Sequence, residues 1–213
     1  PDWRLIVVDD GYPDDSIPGW FDSLGDTRVT YMRNETNLGA NGNYRKCLTF
    51  VENPLVQVMG ADDVMLPNYV EWLVRAARRC PEASIFQPGV FVIDEHGAPS
   101  HTMVERVKGF YMPPVPQLLR GEALAVSILR GDWLYFPSLA WRAETILGIG
   151  FREGYDVVQD VALVCDVAMQ GGGLLYDPTA AFLYRRHSGS DSSWRALEGT
   201  RFGEERRFFL QMA

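Results

Sequence analysis

The sequence predicts an α/β fold with a mixed, mostly parallel sheet, flanked by helices and followed by a less regular second half. Three observations predict it. Aliphatic and β-branched runs recur along the first hundred residues, segments with helical spacing separate them, and the links are short. Because open α/β sheets bind ligands at the carboxyl ends of their strands, polar residues at those ends are the first candidates for a functional site.

The first half alternates strands and helices. Residues 5–8 form a continuous aliphatic run that ends at Asp9, Asp10 and Gly11, which is typical of a buried strand followed by a turn. Apolar residues at helical spacing from Asn43 onward predict a helix, and Pro67 begins a second one that ends before Pro81. The further predicted strands are 29–32, 55–59 and 85–93.

The second half has weaker patterns. Helices are predicted at residues 116–129, 143–147 and 157–169, and a strand-rich stretch at residues 174–186. Three prolines in the stretch 108–116 mark the position expected for an internal hinge. We therefore describe two halves of one domain, residues 1–108 and residues 109–213.

Composition and charge limit the function classes. The 213 residues are 46% apolar and 23% charged, as in an ordinary soluble domain, and the formal net charge of -8 disfavours general nucleic-acid binding. No apolar run reaches the roughly 18 to 20 residues that span a bilayer, so a cytoplasmic protein without a transmembrane segment is expected. The chain enters a strand soon after Pro1 and ends near an apolar helix face at 208–210, which indicates a fragment of a longer protein.

Asp62 and Asp63 are neighbouring carboxylates at the end of the strand predicted at 55–59. Two like charges a few ångströms apart raise a pKa unless a cation or hydrogen-bond donors offset their repulsion. Mg²⁺ or Mn²⁺ prefers oxygen ligands and completes its coordination with substrate phosphates. A solvated turn followed by a helix N-cap explains the pair equally well.

A second polar cluster surrounds the first predicted helix. Asp9 and Asp10 end the first strand, and Asn37, Gly39 and Asn43 belong to a turn rich in residues that tolerate left-handed backbone. Such a turn before a helix can offer backbone N–H groups to an anion. Simple entry into the helix is the alternative explanation.

Five segments in this order resemble family 2 glycosyltransferases of the GT-A fold, which is Rossmann-like. They are "LIVVDDGYPDDS", "NLGANGNYRKCL", "VMGADDVMLPNYVEWL", "GIGFREGYDVVQDVAL" and "LYRRHSGSDS". The resemblance implies an inverting transfer of a sugar from a nucleotide-diphosphate donor to an acceptor hydroxyl. It makes residues 1–108 the nucleotide-sugar-binding half and residues 109–213 the half that holds the acceptor and the catalytic base.

The resemblance also implies roles for single residues. Asp9 and Asp10 would contact the nucleotide, together with the turn residues Asn37, Gly39 and Asn43. Asp62 and Asp63 match the metal-binding motif, with Asp62 toward the nucleotide sugar and Asp63 as the principal ligand of Mn²⁺ or Mg²⁺. His187 would contact the metal or the phosphates.

Asp160 matches the general base of the family. A carboxylate within about 3 Å of the acceptor hydroxyl can take its proton while the oxygen attacks the anomeric carbon. Since an unperturbed aspartate is a weak base, we expect Asp160 to lie in a partly dry pocket that raises its pKa. The resemblance implies two departures from the family: Gln159 stands where Glu is usual, and the family's opening strand and helix are expected to be missing upstream of Pro1.

The second half is expected to bind the acceptor, a saccharide or a lipid-linked molecule, so peripheral membrane contact is an expectation as well. Trp133, Tyr135 and Trp141 belong to a stretch dense in aromatic residues, which can stack on sugar rings. Each of them is equally compatible with a place in the core. A role in bacterial polysaccharide or glycoconjugate synthesis follows from the resemblance alone.

Two other functions are compatible with parts of the sequence. A response-regulator receiver domain would use Asp9 and Asp10, a phosphorylated Asp62 and Lys108, but Gln87 and Pro88 stand where a Ser or Thr is needed, and the second half would have no role. A non-catalytic module that binds sugar nucleotides or glycans would have the same fold.

Overall fold

The computed structural model describes residues 2–100, 102–187 and 200–212. It divides into two compact units, Pro1–Asn53 and Pro54–Ala213, which are described separately. The division predicted between residues 108 and 109 is a functional one and stays a prediction. Strands from both sides of it, β5 at Ile85–Ile93 and β8 at Gly173–Arg185, pair in one sheet of the second unit.

The first unit contains two parallel strands and two helices. Strands β1 (Leu5–Asp9) and β2 (Val29–Arg33) pair so that Asp9 lies opposite Arg33. Helix α1 (Ile17–Ser23) was not predicted, and helix α2 (Gly39–Leu48) begins four residues earlier than predicted. Gly39 has a φ of +71°, which an L side chain rarely adopts, so this glycine permits the early start.

The second unit is built on a six-stranded sheet in the order β3-β7-β5-β8-β4, with β6 also paired to β8. The longest pairing, β5 with β8, is parallel, like β1 with β2, and the shorter pairings are antiparallel. The predicted mixed α/β fold with a mostly parallel sheet is confirmed. The remaining strands are β3 (Leu55–Gln57), β4 (Val64–Met65), β6 (Gln117–Arg120) and β7 (Ala140–Arg142).

Helices cover this sheet. They are α3 (Tyr69–Arg79), α4 (Met103–Tyr111), α5 (Gly121–Gly131), α6 (Ala143–Ile149), α7 (Gln159–Met169) and α8 (Thr200–Met212), with a 3₁₀ turn at Phe136–Ser138. Helix α4 was not predicted. It starts with a capping box between Thr102 and Glu105, and it contains the first residues of the stretch predicted as a hinge.

The helix predicted at 116–129 is wrong in its first part. Residues 117–120 form strand β6, antiparallel to β8, and the helix begins only at Gly121, whose φ is +51°. The side chain of Leu118 packs against the core. Pairing with β8 and burial of this leucine override the helical pattern of the local sequence.

One cluster of the core lies between the sheet and α3. Tyr69, Trp72, Phe86 and Phe182 are almost fully buried in it. Strands β5 and β8 approach closely at Gly89, where an added Cβ would lie 2.3 Å from the Pro178 carbonyl oxygen. Their pairing then continues to Ile93 opposite Arg185, which brings the end of β8 to the same edge as the start of β4.

Candidate active site

Asp10 organises the polar cluster of the first unit. Its Oδ1 atom accepts hydrogen bonds from the Asn34 side chain at 2.7 Å and from the Leu38 backbone N–H at 2.8 Å. Its carbonyl oxygen accepts one from the Asn37 side chain at 2.9 Å. Among the described residues no hydrogen bond reaches its Oδ2 atom, so this oxygen has capacity for a ligand.

Asp9 has a different environment. Its carboxylate accepts hydrogen bonds from the N–H groups of Gly11 and Tyr12 at 3.0 and 2.8 Å, and from the Tyr31 hydroxyl at 2.5 Å. Burial opposes ionisation, but these hydrogen bonds and the charge of Arg33 hold the pKa of Asp9 below its ordinary value. The side chain closes its own turn, so its bonding capacity is largely used within the protein.

The other predicted residues of this cluster build the turn that surrounds Asp10. The side-chain oxygen of Asn37 accepts the Gly39 N–H at 2.9 Å. The Asn43 side chain donates to the Val8 carbonyl at 2.8 Å, and its oxygen accepts from Asn34 at 3.0 Å. Asn37, Gly39 and Asn43 are therefore brought together with Asp10, while contact with a nucleotide stays a prediction.

In the second unit, Asp62 and Asp63 lie in the turn between β3 and β4. Asp63 is buried and Asp62 is more exposed. A Cβ added to Gly60 would lie 2.7 Å from Oδ1 of Asp62 and 3.7 Å from Oδ2 of Asp63. The two carboxylates therefore face a space that the missing side chain of Gly60 leaves open.

The end of β8 holds this acidic pair. The Arg185 backbone N–H donates to Oδ1 of Asp63 at 2.8 Å, and the Arg185 guanidinium donates to the carbonyl oxygens of Asp62 and Asp94 at 2.8 and 2.9 Å. Nε2 of His187 lies 2.9 Å from Oδ2 of Asp62. His187 is thus brought to the pair as predicted, although it contacts Asp62 rather than Asp63.

Burial is the main influence on the ionisation of Asp63. Burial, with added repulsion from Asp62, raises the pKa of Asp63 to about 6, against the opposing hydrogen bond from Arg185. Within the described residues, no group of three or more His, Cys, Asp or Glu side chains is arranged to hold a metal ion. Two carboxylates and an imidazole are an incomplete donor set, which suits Mg²⁺ or Mn²⁺ only with oxygens from a phosphate.

Asp160 lies in the first turn of α7 and is partly buried. Its carboxylate accepts a hydrogen bond from the Val161 N–H at 2.8 Å. Burial, and then repulsion from Asp132, raises the pKa of Asp160 to about 7, while Lys108 lowers it. This direction is the one that a base needs, and the role of Asp160 as a base stays a prediction.

Tyr184 connects the two acidic places of the second unit. Burial raises the pKa of Tyr184, Arg186 opposes this, and three carboxylates contribute to the rise: Asp63, Asp62 and Asp160. Its ring lies 5.3 Å from the ring of Tyr135. The acidic pair, in the turn before β4, and Asp160, in the first turn of α7, therefore both contribute to the raised pKa of this half-buried tyrosine.

The sequence analysis did not predict four residues of this region: Glu105, Asp132, Tyr184 and Lys108, which it considered only for a receiver domain. They come from α4, the end of α5 and β8, and no short motif joins them. The local sequence of α4, with Glu105, Arg106 and Lys108 among apolar residues, does not single out these side chains.

The aromatic residues predicted to bind the acceptor, Trp133, Tyr135 and Trp141, are buried. Trp133 and Trp141 are fully buried, and the indole of Trp133 donates to the Ser127 hydroxyl at 3.1 Å. These two residues belong to the core, because no ring face is exposed for a sugar. Tyr135 is buried as well, and its ring centre lies 4.9 Å from Nζ of Lys108.

Comparison with known proteins identifies the family. The sequence model of glycosyl transferase family 2 matches residues 1–132, which is more than half of the chain. The chain belongs to glycosyl transferase family 2. The curated "Uncharacterized protein MT1568" of Mycobacterium tuberculosis is 36% identical over 76 residues, which are 35% of this chain and 23% of that protein.

Solved glycosyltransferase structures of similar fold were also found. The S. aureus TarS fragment 1–349 in complex with UDP-GlcNAc superposes with a TM-score of 0.66 at 13% identity, over 89% of this chain and 51% of that one. The same fragment with UDP gives a TM-score of 0.64 at 12% identity, over 87% of this chain and 52% of that one. The likeness shows the GT-A fold, and this chain spans about half the length of those chains. No helix in the described ranges is long and apolar enough to cross a membrane.

Proposed function

We propose that this family 2 chain binds a nucleotide-diphosphate sugar and transfers the sugar to an acceptor hydroxyl with inversion. The observation that carries the proposal is the presence of two acidic places in one unit: Asp62 and Asp63 beside His187, and Asp160 with a raised pKa at the start of α7. The first is suited to a diphosphate and the second to a proton transfer.

The diphosphate is assigned to the turn that Gly60 leaves open. Asp63 and His187 would hold Mn²⁺ or Mg²⁺, with Asp62 toward the nucleotide sugar. The bound ion would neutralise the charge that develops on the departing nucleoside diphosphate. Arg185 fixes the turn through its contacts with Asp62, Asp63 and Asp94, so its guanidinium serves the protein rather than the phosphates.

Asp160 is assigned the role of general base. It takes the proton of the acceptor hydroxyl while that oxygen forms a bond to the anomeric carbon, and the bond from this carbon to the diphosphate breaks. A single displacement of this kind inverts the anomeric centre. A pKa of about 7 suits the task, because a base is most effective when its pKa lies near the working pH.

For the first unit we propose contact with the nucleotide through Asp10. Its Oδ2 atom accepts no hydrogen bond from the described residues, whereas the Asp9 carboxylate is occupied by Gly11, Tyr12 and Tyr31. Asn37, Gly39 and Asn43 shape the turn around it. TarS is described in complex with UDP and with UDP-GlcNAc, so uridine nucleotides are the first donors to test.

The acceptor and the setting rest on the resemblance. A saccharide or a lipid-linked acceptor at the inner face of the membrane, in bacterial polysaccharide or glycoconjugate synthesis, is the setting that we propose.

Calorimetry of the purified protein with UDP and UDP-GlcNAc, in Mn²⁺ and in EDTA, tests the donor site. We expect binding in Mn²⁺ that EDTA abolishes, and absence of any metal-dependent nucleotide binding would overturn the proposal. Asp160→Asn separates an enzyme from a binding module. It should abolish transfer of the sugar to a saccharide acceptor or to water and leave donor affinity unchanged, while Glu153→Gln, an exposed carboxylate seven residues earlier, should change neither.

A further inference from the structure

Helix α8 packs against the loop that leads into α7. Phe208 of α8 is fully buried, and its ring meets the ring of Tyr155 edge-on, with 5.9 Å between the ring centres. The Tyr155 hydroxyl donates to the side-chain oxygen of Gln211, and the Arg207 guanidinium donates to the Gly154 carbonyl. Arg207 also lies 4.9 Å from the centre of the Tyr155 ring. These contacts fix one face of α8 against residues 154 and 155 of the loop.

Glu204 belongs to the same face of α8, because it precedes these three contact residues of the helix by three, four and seven positions. Its Oε1 atom accepts the backbone N–H groups of three consecutive loop residues at 2.6 to 2.9 Å: Asp156, Val157 and Val158. Hydrogen bonds to an ionised acceptor are stronger than those between neutral groups. One carboxylate oxygen therefore fixes the stretch of backbone directly before α7.

The start of α7 has no side-chain cap of its own. Val158 occupies the N-cap position, and its apolar side chain cannot accept a hydrogen bond. The N-terminal end of a helix has unpaired N–H groups and favours a nearby negative charge. The Glu204 carboxylate brings that charge to the N-cap residue across 46 positions of sequence.

Asp160 lies in the turn that begins at Val158. Glu204 accepts the Val158 N–H, and the Val158 carbonyl accepts the Ala162 N–H at 2.8 Å. Asp160 lies between these two residues of the chain, and its carboxylate accepts the N–H of Val161. A shift of Val158 therefore moves the turn that carries the proposed base.

We propose that Glu204 is a positioning residue for Asp160, which fixes the loop before α7 and so sets where the base lies relative to the acceptor hydroxyl. The inference rests on the proposed function, in which Asp160 takes the acceptor proton. A general base acts within about 3 Å of the oxygen that loses the proton, and a misplacement of about 1 Å can lower the rate about a hundredfold. Glu204 itself needs no contact with the substrate.

The kinetics of sugar transfer from UDP-GlcNAc give the first test. Glu204→Ala should lower kcat about ten- to a hundredfold and leave the affinity for UDP unchanged. Glu204→Gln keeps an oxygen that can accept the three N–H groups, so its kcat should lie within about fivefold of the parent value. Arg206→Gln changes an exposed side chain of the same helix and should have no effect. A Glu204→Ala variant that is less stable but has the parent kcat wherever it is folded would make Glu204 a structural residue and overturn the proposal.

Amide hydrogen exchange followed by NMR tests the contact without any turnover. The N–H groups of Asp156, Val157 and Val158 should exchange at least about tenfold faster in Glu204→Ala than in the parent protein. Unchanged exchange would overturn the inference. If Glu204→Ala does not fold, Glu204→Asp is the second variant. It keeps the charge but shortens the side chain by one methylene group, and it should lower kcat and speed exchange in the same way.

The activity of the parent protein distinguishes failure of this inference from failure of the proposed function. A parent protein that transfers sugar neither to a saccharide acceptor nor to water would reject the proposed function. An active parent protein whose kcat is unaffected by Glu204→Ala would reject the inference alone.

Discussion

The Asp63 carboxylate accepts the backbone N–H of Arg185 at 2.8 Å, across 122 positions of sequence. The same arginine donates to the Asp62 carbonyl, and His187, two residues further, contacts the Asp62 side chain. The end of β8 therefore places the acidic turn, and the residues just after the strand supply its histidine. A change at Asp63 is expected to affect ligand binding and stability in opposite directions.

Asp63→Asn should remove the metal-dependent thermal stabilisation by UDP and lower transfer by at least about a hundredfold. Without ligand it should be more stable than the parent protein above pH 7, by about 1 to 2 kcal/mol. The pKa of Asp63 is raised to about 6, so the stability that its protonated form contributes is lost as the pH rises through that value. Denaturant titrations at pH 5 and pH 8, and thermal shifts with UDP and Mn²⁺, measure both effects.

Glu71→Gln is the matched control for this change. It neutralises an exposed carboxylate on α3 whose partner, Arg75, lies 3.9 Å away. Its stability and its response to UDP should equal those of the parent protein. Loss of stability in Asp63→Asn with normal UDP binding would make Asp63 a structural residue.

Gly89→Ala should destabilise the second unit by about 2 to 3 kcal/mol. The new Cβ would lie 2.3 Å from the Pro178 carbonyl oxygen and 2.8 Å from its carbon, both backbone atoms that can move only with β8. Gly148→Ala is the control, because a Cβ there meets nothing within 4 Å and the residue belongs to α6. It should gain about 0.5 to 1 kcal/mol from helix propensity. Equal stabilities of the two variants would show that β5 and β8 separate easily.

The sequence was sufficient for the elements with long periodic patterns. Strand β5 and helices α3 and α7 lie within a few residues of their predictions, because their apolar residues follow the period of the element. Strand β4 has two residues and β6 has four, so pairing with β8 rather than any local pattern creates them.

The site was predictable to the extent that its chemistry is local. Asp62 and Asp63 are adjacent like charges, and this is visible in the sequence without knowledge of the fold. Lys108 and Asp132 approach each other only because α4 packs on α5, which no spacing reveals. Trp133 and Trp141 show the converse, since a tryptophan suits a core and a sugar platform equally and only burial distinguishes them.

Trp133→Phe should cost about 1 to 3 kcal/mol of stability and leave the KM for the acceptor within about twofold of the parent value. The substitution removes the hydrogen bond from the fully buried indole to Ser127, and the smaller phenyl ring makes less edge contact with Tyr176. Trp20→Phe, at an indole that is largely exposed on α1, should change stability by less than about 0.5 kcal/mol. A large rise in KM for Trp133→Phe at unchanged stability would restore the sugar-stacking role.

The pH dependence of stability should carry the signature of Asp160. Because burial and Asp132 raise its pKa to about 7, the folded state holds a proton that the unfolded chain releases near pH 4. The stability from this proton is full below pH 4 and is lost as the pH rises through 7, an effect of about 2 kcal/mol after allowance for partial exposure. Asp160→Asn removes one ionisation from the folded state, so its free energy of unfolding should fall less between pH 5 and pH 8 than that of the parent protein. The result against this prediction would be two parallel curves of unfolding free energy against pH, measured by urea titration. Asp160 would then be ionised throughout this range, and it would be too weak a base for the assigned role.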